Sequence, residues 1–525
     1  MPDILLSTLN ARFIHAAFGL RYLMANLGDL KGRAEIAEYD INQKPIEIAD
    51  AILSRNPRIV GFGVYIWNIT ATTELVGILK RVRPDLIVVL GGPEVSYETG
   101  DQEIVRRADH VITGEADLAF ADLCRQLLSD APRPPRVITA PLPDLAKVAL
   151  PYELYDEQDL AHRVMYVEAS RGCPFTCEFC LSSIDLPVRQ FPLAAFLESM
   201  QQLLDRGARR FKFVDRTFNL HLPTSSAILN FFLERWQPGM FVHFEMVPDR
   251  LPTALRELIK KFPAGGLQFE VGVQSLNPEV EQLIRRRQDH ARLEDNLRWL
   301  RAESGVHIHA DLIAGLPGET LESFATGFDR LLALRPQEIQ VGILKRLRGT
   351  PIIRHDAEWG MVYNPHPPYE ILQNRLLSAQ DLGRLRRFAA FWDVFGNSGN
   401  FTESLGLVWD DGSRFHGFMA FADWLHEQDV KTTGIALQRQ YSLLLEYLET
   451  RPTVDLARAT ELLLADYRRI GRDDEPPWAS RHSQLPVDVL PRHTRRKVLK
   501  EVRRAAAALP SRQARHLGSE PTPLP

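Results

Sequence analysis

Twice along its 525 residues the chain alternates short apolar runs with amphipathic helical patterns, and nothing else in it narrows the possible folds as far. The first series has apolar or β-branched runs at residues 4–9, 34–39, 59–65, 86–90 and 110–113. Helical patterns with apolar residues three and four apart lie between or after them, at 18–27, 45–54, 70–82 and 115–128. Strand–helix alternation at this spacing requires crossover connections, so it predicts a five-stranded parallel sheet with helices on both faces. The second series has strands near 164–168, 210–214, 241–246, 267–273, 307–313 and 338–344, and helical patterns such as 193–204, 225–236, 293–302 and 323–334. Six strands in this rhythm predict a partial (β/α)6 barrel. Beyond about residue 351 the strand rhythm stops, and helical patterns at 372–392, 414–428, 433–448 and 454–467 predict an all-α domain. The prolines Pro132, Pro134, Pro135, Pro141, Pro143 and Pro151 make the stretch between the two series an extended linker. The expected domains are therefore 1–130, a linker at 131–160, 161–350, 351–490 and a basic tail at 491–525.

Composition excludes several classes. Hydrophobic residues make up 45% and charged residues 25%, and 63 basic against 67 acidic residues leave a net charge of −4. That balance gives no bulk electrostatic case for nucleic acid. No stretch has the length of uninterrupted apolar residues that a bilayer needs, and the start of the chain lacks the basic and small-residue pattern of a secretory signal. A cytoplasmic protein without a membrane partner is expected. Four cysteines are too few for a disulfide framework in so long a chain.

Three of those cysteines crowd into one stretch, Ser170-Arg171-Gly172-Cys173-Pro174-Phe175-Thr176-Cys177-Glu178-Phe179-Cys180. Thiolates are the ligands of iron–sulfur clusters, and three on one loop leave the fourth iron of a 4Fe–4S cube open for chemistry. Zinc, a redox cysteine pair or plain apolar packing are the alternatives. Zinc wants a fourth ligand, and Cys124 lies far upstream in a helical pattern that suits a core residue. The CxxxCxxC spacing, with Phe179 just before the last cysteine, resembles the radical S-adenosylmethionine (SAM) family. The loop follows the first strand of a TIM-like barrel, on the C-terminal face where such barrels place chemistry.

Further marks of that family stand at later strand ends, and the resemblance implies cofactor contacts for them. They are Asp215 after the second strand, Glu245 after the third, Gln274 and Ser275 after the fourth, and Gly315-Leu316-Pro317-Gly318-Glu319 after the fifth. Glu319 also suits a helix N-terminus. Where the family often has a second acid, this chain has Arg216. A Rossmann-like α/β domain directly ahead of the cysteine motif resembles the cobalamin-binding domain of the cobalamin-dependent branch. The matching strand ends are Trp67-Asn68, Gly91-Gly92-Pro93 and Gly114-Glu115, which the resemblance makes cobalamin contacts. The chain has no Asp-x-His-x-x-Gly, so that route to a histidine on cobalt is missing, and His15 is a weak substitute.

The resemblance implies three cofactors, a 4Fe–4S cluster, SAM and cobalamin. It also implies a mechanism in which reductive cleavage of SAM yields a 5′-deoxyadenosyl radical, the radical takes a substrate hydrogen, and methylcobalamin methylates the carbon. Rearrangement, cyclisation or oxidation without methyl transfer is the alternative, and a cobalamin- or RNA-binding regulatory protein with a structural cluster is the remote one. The expected substrate is a small or medium-sized organic molecule, bounded in part by the helical domain after Pro351. Arg216 and Lys345 would favour a carboxylate or phosphate on it. A flavodoxin- or ferredoxin-like electron donor is the expected protein partner. The Arg- and Lys-rich residues 492–515 read as a solvated basic face.

Overall fold

Six parallel strands, in the order β2-β1-β3-β4-β5-β6, form the first sheet: β1 (Ile4–Asn10), β2 (Ala34–Asp40), β3 (Ile59–Gly63), β4 (Ile87–Gly91), β5 (His110–Thr113) and β6 (Val137–Thr139). The computed structural model describes residues 1–184, 187–409, 412–472, 474, 476–482 and 511–516. Strand β1 is buried along its whole length because the sheet is covered on both faces, which is why it reads as a nearly unbroken apolar run. Ile4 and Leu6 pack on one face with Leu20 and Met24 of α1 (Phe18–Ala25) and with Phe120, Leu123 and Cys124 from the helix at Ala119–Leu127. Leu5 and Leu9 pack on the other with Ile48 and Ile52 of α2 (Pro45–Leu53) and Leu75, Val76 and Leu79 of α3 (Ile69–Val82). The two cores make this a doubly wound sheet, and β1 lies at its switch point, between β2 and β3.

The sixth strand corrects the expected count of five. Val111, Ile112 and Thr113 of β5 pair in parallel with Val137, Ile138 and Thr139. Prolines bracket these three residues, and an edge strand so short shows no alternation, so the sequence conceals it. The rest of the expected linker is also ordered. It carries short turns at Leu145–Lys147 and Tyr152–Leu154 and a helix at Glu157–His162, which Asp156 and Asp159 close with a capping box. The buried Tyr152 and Tyr155 hydroxyls donate to the carbonyls of Glu168 and Tyr166 at 3.1 and 2.8 Å, tying this stretch to the start of the second series.

The second sheet runs in chain order, β7 (Met165–Val167), β10 (Arg210–Phe213), β11 (Phe241–Met246), β12 (Leu267–Gln274), β13 (His307–Ala314) and β14 (Glu338–Ile343). Between β7 and β10 a small antiparallel pair, β8 (Ser170–Arg171) and β9 (Arg189–Gln190), matches Ser170 with Gln190 and Arg171 with Arg189. Later helices at Ala379–Phe395, Arg414–Glu427, Leu437–Glu449 and Leu456–Arg469 share an aromatic core that includes Phe388, Trp392, Phe415, Phe418 and Tyr441. A two-stranded pair, β15 (Val362–Tyr363) with β16 (Ile371–Gln373), precedes this helical region, and the helix expected from residue 372 starts at Ala379 behind a Ser378–Asp381 capping box. Of the expected basic tail, residues 491–510 and 517–525 lie outside the described residues, and Ser511–His516 forms a short helix.

By internal packing the chain divides into two units. One contains residues 1–216, 345–353 and 363–370, the other residues 217–344, 354–362 and 371–525. No helix among the described residues is long and apolar enough to cross a membrane.

Candidate cofactor sites

In the first unit the cysteine loop is held at its base by the β8–β9 ladder, so the cysteine-bearing residues 172–180 project from a pinned neck. Gly172, at φ 91°, takes the chain out of the ladder in a conformation that favours glycine. None of the three thiols is in a disulfide; Cys177 is buried, and Cys173 and Cys180 are half-buried. The Cys180 amide donates to the Cys177 carbonyl at 3.2 Å, and the Ser183 hydroxyl caps the Cys180 carbonyl at 2.6 Å. Burial pushes the Cys173 thiol up, while the Phe175 amide and the Arg216 guanidinium pull it down. Among the described residues no three His, Cys, Asp or Glu side chains converge as the ligands of one ion would. A cube needs no such convergence, because each cysteine binds its own iron. Three neighbouring thiols on a pinned loop fit that donor set. Cys124 does not belong to it, since it is fully buried in the first sheet's core and burial pushes its thiol up to about 12.

Asp215 stands beside this loop. Its carboxylate accepts from the Ala169 amide at 3.0 Å and the Ser170 hydroxyl at 2.6 Å, and it is 3% exposed. Burial pushes it up to about 7 against those hydrogen bonds. It props the turn from β7 into the ladder.

A cavity of about 180 Å³ opens at the C-terminal ends of β3, β4 and β5. Gly61, Gly63, Gly91, Gly92 and Gly114 line it, with Tyr22, Tyr65 and Phe120 as larger walls. A Cβ on Gly91 would meet only the Ile112 carbonyl at 3.8 Å, and one on Gly114 only the Ala140 carbonyl at 3.5 Å, so the missing side chains are what keep this space open. Gly92 serves the backbone instead: at φ 107° its Cβ would lie 2.5 Å from the Val64 carbonyl, and Pro93 follows it into a short turn. A glycine-walled pocket at the strand ends of a doubly wound sheet fits the tail of a large cofactor such as cobalamin.

The other residues expected at this site divide by what they touch. Asn68 is fully buried; its amide donates to Thr8, to the Leu9 carbonyl and to the Gly63 carbonyl, all at 3.1 Å, and its oxygen accepts from the Tyr65 amide. It fastens the loop after β3 to the end of β1. Trp67, 49% exposed, stacks face to face on Tyr65 at 4.5 Å and presents its outer face to solvent. Glu115 binds Arg171 at 2.8 Å and also Arg189. His15 accepts or donates at Nδ1 with the Tyr166 hydroxyl at 2.6 Å, and burial lowers its pKa, aided by Lys212 and Arg12. Lys345 sits in an isolated antiparallel bridge with Glu370.

In the second unit, Glu245 lies half-buried near the end of β11. Gln274 ends β12 at φ 71°, next to a register shift between Gly272 and Gln274. A left-handed non-glycine residue beside a bulge is strained backbone of the sort that gathers at binding sites. Ser275 and Glu319 find each other: Ser275 donates to Glu319 at 2.7 Å, and both are 2% exposed. The helix-capping role considered for Glu319 belongs to Thr320, whose hydroxyl accepts from the Ser323 amide. Gly315 and Gly318, at φ 94° and 80°, pack so closely that a Cβ would lie 2.6 Å from Ile371 and from Leu283 respectively.

Burial pushes Glu319 up from 4.5 to about 7, with Glu281 adding to the rise and Ser275 opposing it. Between those values the unfolded chain releases a proton that the folded chain keeps, so stability falls as pH rises through the window and levels off above it. Glu319→Gln stays neutral throughout. Its denaturant midpoint is expected to gain on wild type between pH 5 and pH 8, by on the order of 3 kcal/mol in stability; equal differences at both pH values would contradict this placement.

Sequence reasoning missed two networks. Arg171, two residues before Cys173, reaches Glu115, Asp117 and Glu168. Glu94, just after Gly92-Pro93, is buried and accepts from Arg348 at 3.0 Å and Tyr369 at 2.7 Å, which clips the 345–370 segment to the β4 loop. The one available signal was an arginine directly ahead of Gly172-Cys173.

The Radical SAM superfamily model matches residues 167–331, a B12 binding domain model matches residues 5–124, and a protein family of unknown function, DUF4080, matches residues 357–513. Among curated relatives, an uncharacterized methyltransferase of Pyrococcus horikoshii is 26% identical over 313 residues, covering 53% of this chain and 64% of the relative. The cobalamin-dependent radical SAM methyltransferase TokK of Streptomyces tokunonensis is 26% identical over 361 residues, covering 60% of this chain and 51% of the relative. The chain thus spans half to under two thirds of the length of these relatives. The structure of the radical SAM methyltransferase TsrM from Kitasatospora setae, with cobalamin and a 4Fe–4S cluster bound, covers 89% of this chain and 100% of its own at a TM-score of 0.57 and 16% identity, which shows a shared fold. The chain carries a B12 binding domain followed by a radical SAM domain, with the three-cysteine loop and the glycine-walled cavity in place, and its relatives include cobalamin-dependent radical SAM methyltransferases.

Proposed function

We propose that this chain is a cobalamin-dependent radical SAM methyltransferase acting on an unactivated carbon of a small or medium-sized organic molecule in the cytoplasm, with electrons from a flavodoxin- or ferredoxin-like donor. The observation that carries the reading is the presence in one compact unit of both a pinned three-thiol loop and a glycine-walled cavity at the ends of parallel strands. Residues 1–130 form the cobalamin domain, 161–350 the radical SAM domain, and 351–490 a helical domain. Cys173, Cys177 and Cys180 hold the cluster. Gly91 and Gly114 leave room for cobalamin, Trp67 offers it an aromatic face, and Asn68, Pro93 and Glu115 hold the surrounding loops in shape. Gln274 and Glu245 contact SAM; Ser275, Gly315, Gly318 and Glu319 build the wall behind it, and Asp215 steadies the turn that delivers the cysteines. When bound, the cluster supplies the electron that breaks a sulfur–carbon bond of SAM, and cobalamin supplies a transferable methyl group. The protein's part is placement and exclusion of water.

Ribosomal protein methylthiotransferases are also relatives; that of Pelobacter propionicus is 25% identical over 198 residues. That reading is poorer, because the methylthiotransferase family carries further cysteines in its N-terminal domain, and the only cysteine of this chain outside the loop, Cys124, is locked in an apolar core.

The test feeds methyl-deuterated methionine to cells with and without the active protein and compares their metabolites. A deuterated compound that depends on Cys173 supports the reading. A protein-dependent product with no label from methionine would replace methyl transfer with another radical conversion.

A further inference from the structure

Arg171 belongs at once to the cysteine loop and to the wall of the cavity. Its backbone pairs with Arg189 in the β8–β9 ladder, two residues before Cys173. Its guanidinium crosses to the loop after β5, where it meets Glu115 at 2.8 Å and Asp117 at 2.8 and 3.0 Å, and it also holds Glu168 at 2.8 Å. It lies over the Tyr22 ring at 4.6 Å and faces Phe191 at 5.4 Å. Arg171, Asp117 and Tyr22 all line the cavity. The side chain is 13% exposed, so the charge is held by a planar fork on three carboxylates and not by water. A buried guanidinium of this kind is costly to separate from its partners, so the arginine and the loop after β5 move together.

Resting on the proposed cofactor set, we propose that Arg171 is a positioning residue that couples cluster assembly to cobalamin binding. Iron ligation would fix residues 172–180 at three points. Without it, the ladder, local hydrogen bonds such as Cys180 to Cys177, and the Ile352 amide on the Glu178 carbonyl at 3.0 Å are among the contacts that hold that loop. Ligation at three points on the loop adds to the restraint on Arg171, which is already paired with Arg189, and through its guanidinium on the cavity wall made by Asp117 and Tyr22, so cobalamin meets less of the entropic cost of fixing them. Couplings between sites usually amount to 5–150-fold, and about tenfold tighter cobalamin binding in the cluster-loaded protein is expected here. Linkage makes the effect reciprocal: bound cobalamin slows removal of the cluster by a chelator where that removal follows the equilibrium.

The experiment titrates hydroxocobalamin into the full-length protein under anaerobic conditions, with and without the reconstituted cluster. It compares wild type with Arg171→Gln and Arg171→Lys, each checked by near-ultraviolet circular dichroism. Wild type should show the roughly tenfold difference between its two forms, and both variants should show nearly none, because lysine keeps the charge but cannot fork to three carboxylates. Should the glutamine variant fail to fold, the lysine variant decides. A merely structural role would weaken both forms alike and leave the ratio unchanged. Equal affinities in the two wild-type forms, or a tenfold ratio that survives in both variants, would overturn the coupling while leaving the cofactor set standing. Absence of cobalamin binding in every form would overturn both.

Discussion

Replacing Cys173, Cys177 and Cys180 together by alanine is expected to lower iron after anaerobic reconstitution from about four per chain, the content of one cube, to near none. Production of 5′-deoxyadenosine from SAM should disappear with it. The fold should survive, because none of the three thiols belongs to the two apolar cores of the first sheet and the loop's base is held by the β8–β9 ladder. Unchanged far-ultraviolet circular dichroism alongside lost iron is the expected pair of results. A triple variant that keeps its iron would place the cluster elsewhere.

The second large effect is expected at Gly91. Its Cβ position is free of close neighbours, so leucine there keeps the strand and sends its side chain into a cavity of about 180 Å³. Overpacking of this kind costs roughly 1–3 kcal/mol, and cobalamin affinity should fall toward the upper end, about a hundredfold, with little change in melting temperature. Gly92→Ala is the contrasting substitution. Its Cβ would approach the Val64 carbonyl to 2.5 Å at φ 107°, so it should lower stability by roughly 1–3 kcal/mol. Equal affinities for wild type and Gly91→Leu would remove the cavity from the cobalamin site.

What could be read from the sequence and what could not follows from range. Strands β1 to β5 and the six of the second sheet announce themselves because parallel strands are buried on both faces and carry continuous apolar runs. Strand β6 does not, because three residues between prolines have no periodicity to show. The cysteine loop was legible from spacing alone, since its three thiols are neighbours in the chain. Position at a strand's C-terminal end drew attention to Asn68, Asp215, Ser275 and Glu319, but it says nothing of where a side chain turns. Asn68 and Asp215 turn onto nearby backbone, and Ser275 and Glu319 turn onto each other across 44 residues. Arg171 was hidden for the same reason, its carboxylates Asp117 and Glu115 lying 54 and 56 residues away. Apolar pattern is local, whereas charge pairing over such distances becomes visible only once the strands are in register.

One chain is expected to carry a reducible cluster and cobalamin and to move a methyl group. The most direct test is anaerobic turnover of the reconstituted, cobalamin-loaded protein with trideuteromethyl SAM and a strong reductant, in an extract from cells that lack the protein. Mass spectrometry should find 5′-deoxyadenosine together with a product bearing the trideuteromethyl group, both absent from the triple cysteine variant. Cleavage of SAM with no labelled product, from protein shown to hold both cofactors, would contradict methyl transfer; no cleavage at all would contradict the radical SAM chemistry.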